Sequence, residues 1–114
     1  MENESFRVKH DIFVGQPSGD NLGEAFNIGY ALKYDNAEYY IVKLWPLPGA
    51  TYYLAKSRDG EKYTVFTKKL ETDLGVKFQN PVGFAVMRPE LKEYLELVLR
   101  FPKQLVYMSL YPAA

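Results

Sequence analysis

Two runs of β-type residues, TYYLAKS (51–57) and KYTVFTK (62–68), are separated by Arg58-Asp59-Gly60-Glu61. Asp-Gly between such runs is the strongest short hairpin signal, because the tight turn needs positive φ at its centre. Pairing across it sets Arg58 opposite Glu61, Leu54 opposite Val65 and Tyr53 opposite Phe66. The rest of the chain must therefore fit around an antiparallel hairpin.

A second hairpin lies upstream. In FNIGYALKY (26–34), Phe26, Ile28, Tyr30, Leu32 and Tyr34 alternate with smaller or polar residues. Period-2 alternation marks a half-buried strand. Asp35-Asn36-Ala37-Glu38 then turns into YYIVKLW (39–45). A two-residue loop at Asn36-Ala37 pairs Tyr34 with Tyr39, Leu32 with Ile41 and Tyr30 with Lys43. Asn tolerates the positive φ of such a loop and Ala does not favour it, so the turn type stays open.

The remaining segments are assigned in the same way. FRVKHDIFV (6–14) reads as a first strand, and GQPSGDNLGE (15–24) as a loop on its turn chemistry. Residues 71–81 read as a connection with a short strand at 76–78, and 82–87 as a further strand. In 89–100, Leu91, Tyr94, Leu95, Val98 and Leu99 fall on one helical face. Pro89 near the start and Arg100 at the end suit a helix. The rival reading is a strand, since Leu95, Leu97, Leu99 and Phe101 also alternate. QLVYMSLY (104–111) is a last strand, buried on both faces. These elements predict one α+β domain over residues 1–114: six or seven antiparallel strands and a helix at about 89–100. The alternative is a small all-β barrel.

Composition limits function. The chain has 114 residues, no cysteine, and 14 basic against 14 acidic residues. One core suits that length. Disulfides and thiolate metal sites are excluded, in keeping with a reducing cytoplasm. The polar N-terminus MENESFRVKH predicts no signal peptide, and no apolar run reaches the ~20 residues of a membrane span. Chemistry finds little to use. His10 is the only histidine. Its neighbour Asp11 points to the opposite face of a strand, so the two cannot act together unaided. No ligand spacing marks a metal site or a cofactor. GQPSGDNLG lacks the GK[ST] ending of a phosphate-binding loop. The expectation is a non-enzymatic protein with no cofactor.

Charge and aromaticity coincide in one region. Residues 43–69 carry Lys43, Lys56, Arg58, Lys62, Lys68 and Lys69 against Asp59 and Glu61. Tyr39, Tyr40, Trp45, Tyr52, Tyr53, Tyr63 and Phe66 are interleaved with them. Basic grooves with stacking rings bind single-stranded nucleic acid. Facing argues against this, because strand alternation spreads the rings over both faces among Ile41, Val42 and Leu54. The main expectation is that the rings serve the core and that the protein acts on a protein partner or itself, as a homodimer. The alternative is single-stranded nucleic-acid binding through Lys43, Trp45, Lys56, Arg58, Lys62, Lys68 and Lys69. Neither reading involves a membrane.

Residues 28–68 also carry a resemblance. The I-G-x-A-x-K strand at 28–33, Y-x-V-K-L at 40–44, the Pro-interrupted crossover at 46–50 and the aromatic hairpin around Asp59-Gly60 are its elements. They are similar to the second half of a family of small bacterial proteins of unknown function found on conjugative plasmids and integrative elements. The resemblance implies a bacterial, mobile-element setting and no mechanism. It covers about a third of the chain and carries over no functional residues.

Overall fold

The structure, a computed structural model, describes residues 6–56, 62–100 and 103–113. Eight strands follow one another: β1 (Arg7–Ser18), β2 (Asn21–Tyr34), β3 (Tyr39–Leu44), β4 (Tyr52–Lys56), β5 (Tyr63–Thr72), β6 (Gly75–Val86), β7 (Tyr94–Arg100) and β8 (Lys103–Ser109). Each pairs antiparallel with the next, and β8 returns to β1 to close a barrel. Closure removes the free edges that an open sheet of this length would expose. The closing seam is short, with only Ile12↔Met108 and Phe13↔Tyr107 in register.

Eight strands enclose an interior that side chains can fill. Every strand contributes to it: Ile12, Ala31, Val42 and Leu44, Tyr52 and Leu54, Val65, Ala85, Leu95, Leu97 and Leu99, Val106 and Met108. A smaller cluster of Leu22, Leu91 and Tyr107 lies outside the wall near the seam, with Phe13 and Tyr94 packed on it. There the Tyr107 hydroxyl donates to Glu96 Oε2 at 3.0 Å, and Arg88 Nη1 donates to the same oxygen at 3.2 Å. These bonds tie the 87–93 segment to the outer face.

The predicted registers hold where they are described. Tyr53↔Phe66 and Leu54↔Val65 are paired, as are Tyr30↔Lys43 and Leu32↔Ile41. The turn at Arg58–Glu61 lies outside the described residues. The upstream turn is not a two-residue loop at Asn36-Ala37: β2 ends at Tyr34 and β3 begins at Tyr39, and between them the Ala37 amide donates to the Tyr34 carbonyl at 3.1 Å, closing a β-turn centred on Asp35 and Asn36.

The α+β assignment is overturned: the described residues contain no helix, and the fold is the all-β alternative. The segment expected to be a helix is two turns followed by β7. The Leu91 amide donates to Arg88 O at 3.1 Å and the Tyr94 amide to Leu91 O at 3.4 Å. Pro89 occupies the second position of the first turn, where its fixed φ is favourable. Leu95, Leu97 and Leu99 then point inward while Glu96 and Val98 point outward. The five-point helical match had combined residues from both sides of the barrel wall.

Two segments hold more strand than expected: 15–24, read as a loop, and 71–81, read as a connection with a short strand at 76–78, which lies within β6. The 15–24 stretch continues β1 and opens β2 around a two-residue Gly19-Asp20 loop, Ser18↔Asn21. Gly19 has φ 62°, the positive value that such a hairpin needs at its first position. Residues 71–81 belong to a long β5–β6 hairpin that turns at Asp73-Leu74, Thr72↔Gly75. This hairpin bends where the register shifts between Val65 and Phe66. Asn80, at φ 60°, and Pro81, which has no amide to donate, sit at that bend. Among the described residues no helix is long and apolar enough to cross a membrane.

Candidate functional site

The bend in β5–β6 creates the most distinctive surface of the molecule. On β3, Tyr40, Val42 and Leu44 pack inward, so Tyr39 faces out. On β4, Tyr52 and Leu54 are inside, so Tyr53 faces out; on β5, Tyr63 and Val65 are inside, so Phe66 faces out. The bent arm brings Phe78 onto these rings. Its centroid lies 5.1 Å from Tyr39, 6.0 Å from Tyr53 and 5.5 Å from Phe66, the last nearly parallel at 24°. All four residues are half-buried.

A cation completes the cluster. Lys69 pairs with Phe78 across the arm. Its ammonium stands 5.3 Å from the Tyr39 ring and 5.8 Å from that of Tyr53, and donates to the Tyr39 hydroxyl at 3.1 Å. That hydrogen bond is the main reason its pKa is raised above the ordinary lysine value, so it stays charged. Cation–π contacts at partly exposed rings are worth ~0.5–1 kcal/mol. Beside the rings opens a cleft of about 1150 Å³, walled by the β2–β3 turn, the ends of β4 and β5, and the arm. Lys56 stands at this end of the barrel, 5.9 Å from the Tyr63 ring.

The residues expected from sequence divide. Lys56 borders the cleft and Lys69 lies within the ring cluster. Lys68 is exposed on the arm and, as the neighbour of Lys69, faces the other way. Lys62 is exposed just before β5. Arg58 lies outside the described residues. Lys43 does not join the others: its ammonium donates to Thr51 Oγ1 at 2.7 Å. Trp45 is 55% exposed but follows β3 at the end away from Tyr39. Trp45 lies six residue steps along the chain from Tyr39, or ~20 Å. Tyr52 is buried in the core.

Phe78 was not among the expected site residues: it falls in the short strand expected at 76–78, beyond the basic and aromatic region, which ended at Lys69. The alternation of Val76 and Phe78 in VKFQN was the available signal. The sequence matches no protein-family model, and no curated protein or solved structure matches it at a significant level.

His10 is buried in β1, with its Nδ1–H donating to the Ser109 carbonyl at 2.9 Å and its ring edge-on to Tyr40. Among the described residues no three His, Cys, Asp or Glu side chains are grouped to hold a metal.

Burial raises the pKa of Tyr40, Tyr52 and Tyr107 above 10.0. The folded chain then keeps protons that the unfolded chain releases as pH climbs past ~10. Stability is present in full below that pH and is expected to fall above it. A series of urea melts from pH 8 to 11 checks this, and a flat midpoint across the series contradicts it.

Proposed function

We infer that this protein is a non-enzymatic binding module whose ligand is single-stranded nucleic acid, held on the outer face of β3–β6. The observation that supports this is the Tyr39–Tyr53–Phe66–Phe78 cluster with Lys69 set into it. Rings on a sheet surface give unpaired bases a platform, and adjacent lysines neutralise phosphates. Lys69 within the cluster and Lys56 at the adjoining cleft supply the cations, and Lys68 faces away from them. The cleft exceeds the roughly 300–1,000 Å³ of a small-molecule pocket and is open to solvent, which suits a length of polymer. Lys43 and Trp45 lie outside this surface.

Anisotropy of a labelled single-stranded 12-mer at 50 and 200 mM salt tests the reading. Affinity is expected to fall steeply with salt. Phe78→Ala should weaken binding by ~5- to 150-fold, the loss of one stacking ring at ~1–3 kcal/mol. Trp45→Phe should leave affinity unchanged. No binding at 50 mM salt, or equal effects of the two substitutions, sinks the assignment.

A protein partner or a second copy of the chain is the second reading. It is favoured by a row of apolar residues across three strands, Phe84↔Val98 and Val98↔Leu105. Phe84 and Leu105 are exposed.

A further inference from the structure

The closing seam is where the wall is least complete. β8 keeps its whole ladder to β7, from Tyr94↔Ser109 to Arg100↔Lys103. Just beyond it the Leu110 amide donates to the Glu93 carbonyl at 2.9 Å. Along an antiparallel strand the backbone groups alternate in direction. Even-numbered residues of β8 therefore bond toward β7, while Lys103, Leu105 and Tyr107 turn their N–H and C=O groups toward the seam. Tyr107 meets Phe13 there, and the register with β1 ends at that pair. Beyond it β1 leaves the wall. Its register shifts between Val14 and Gln16, Glu24 in the facing strand takes φ 51°, and Leu22 near the hairpin tip packs outside on Leu91 and Tyr107. Lys103 and Leu105 thus form an edge with no strand beside it among the described residues.

A cleft of about 460 Å³ opens between this edge and the departing hairpin, with Val14, Gln16, Phe26 and Leu105 in its lining. Phe26 is 68% and Leu105 48% exposed. A charge mismatch stands beside it. Arg100 and Lys103 are exposed cross-strand partners on the outer face, which sets two cations side by side. Like charges directly opposite are destabilising. Neither has an ion-pair partner among the described residues.

We propose that this edge takes an extended, acidic segment of a partner protein, which adds as a strand antiparallel to β8 and completes the wall. The proposal stands apart from the nucleic-acid reading, whose surface lies on β3–β6. A row of unpaired N–H and C=O groups is matched by another extended backbone, and strand addition is a recurring mode of peptide recognition. Register then sets the chemistry of the segment. Its residue opposite Leu105 is apolar and enters the cleft against Phe26. Its residue two positions further on lies opposite Lys103 on the same face. A carboxylate there offsets the repulsion between Arg100 and Lys103. Glu24 lines the cleft, so the acid belongs at the Lys103 end and not within the cleft. The same charges reject a second copy of the chain, because pairing β8 with β8 about a twofold axis brings two such basic pairs together.

Anisotropy of a labelled 10-mer peptide with Leu-Val-Asp at its centre tests this on the full chain, beside the same peptide with Lys for Asp. The Asp peptide should bind about fivefold more tightly or better at 50 mM salt, as attraction to two exposed cations replaces repulsion by them. Lys103→Glu should weaken the Asp peptide and strengthen the Lys peptide. Circular dichroism checks that this exposed substitution leaves the fold intact. Methylating the peptide amides that face β8 should weaken binding by about tenfold, since main-chain hydrogen bonds are lost. Phe78→Ala should leave peptide affinity unchanged. Equal affinity for the two peptides, an unchanged order in Lys103→Glu, or no binding at 1 mM peptide overturns the proposal. Displacement of the peptide by a single-stranded 12-mer also overturns it and assigns Arg100 and Lys103 to nucleic acid.

Discussion

Replacing Gly83 with alanine is expected to destabilise the barrel by about 3 kcal/mol or more, at the upper end of overpacking effects. A Cβ at this position would lie 2.1 Å from the Val98 carbonyl oxygen and 3.1 Å from the Leu99 Cα. Both obstacles are backbone. They belong to β7, which is hydrogen-bonded to β6 on one side and to β8 on the other, so it cannot retreat without breaking a ladder. Gly29 meets the same obstacle on the other side of the barrel, 2.1 Å from the Lys43 carbonyl oxygen. Domains of this size are stable by only ~5–15 kcal/mol, so either substitution removes a large share. Gly49 is the control: it lies in a turn with nothing within 4 Å of an added Cβ, and alanine there should shift stability by less than ~0.5 kcal/mol. Urea melts of the three variants give the comparison. A loss at Gly83 no greater than that at Gly49 would mean that β6 and β7 are not packed as described.

What could be read from the sequence depended on how local the determining interactions are. The registers of β2–β3 and β4–β5 were legible because turn chemistry and alternation sit within a few residues of the pairs they fix. Gly15 to Glu24 misled because its Gly, Pro, Ser, Asp and Asn are turn formers, and they do supply turns and bulges, but inside a continuing hairpin. Its bulges include Glu24 at φ 51°. A small all-β barrel was the alternative reading, but the pairs that close it were not legible, since Ile12↔Met108 and Phe13↔Tyr107 lie about ninety-five residues apart in sequence.

The candidate site shows the same limit. Alternation alone places Tyr39, Tyr53 and Phe66 on the outer face, and the predicted pairing already set Tyr53 beside Phe66. Phe78 and Lys69 reach the cluster only because β5–β6 bends at Phe66 and Pro81. A bulge re-aims side chains in a way that strand periodicity does not encode. The lysines of 43–69, a single group by count, are in fact split between the two ends of β3 and the two faces of the arm.

The segment once divided between helix and strand provides the other large effect. Leu97→Ala should cost ~2–5 kcal/mol, and Val98→Ala less than ~1 kcal/mol. Leu97 is fully buried in the barrel, in a layer completed by Val106, its partner on β8, and by Ala85, its partner on β6. Truncation leaves a cavity that two hydrogen-bonded neighbours cannot collapse into, which puts the loss toward the upper part of that range. Val98 lies on the outer wall, half-buried between Phe84 and Leu105, where water can take the place of the lost methyl groups. A helix would reverse the order. Leu91, Tyr94, Leu95, Val98 and Leu99 would then form the buried stripe, with Leu97 off it. The ratio of the two losses therefore reads the element type directly, from two adjacent residues and without a structure. Denaturant melts that found Val98→Ala the costlier of the two would return 91–100 to a helix and take the closed barrel with it, because β7 is the strand that joins β6 to β8.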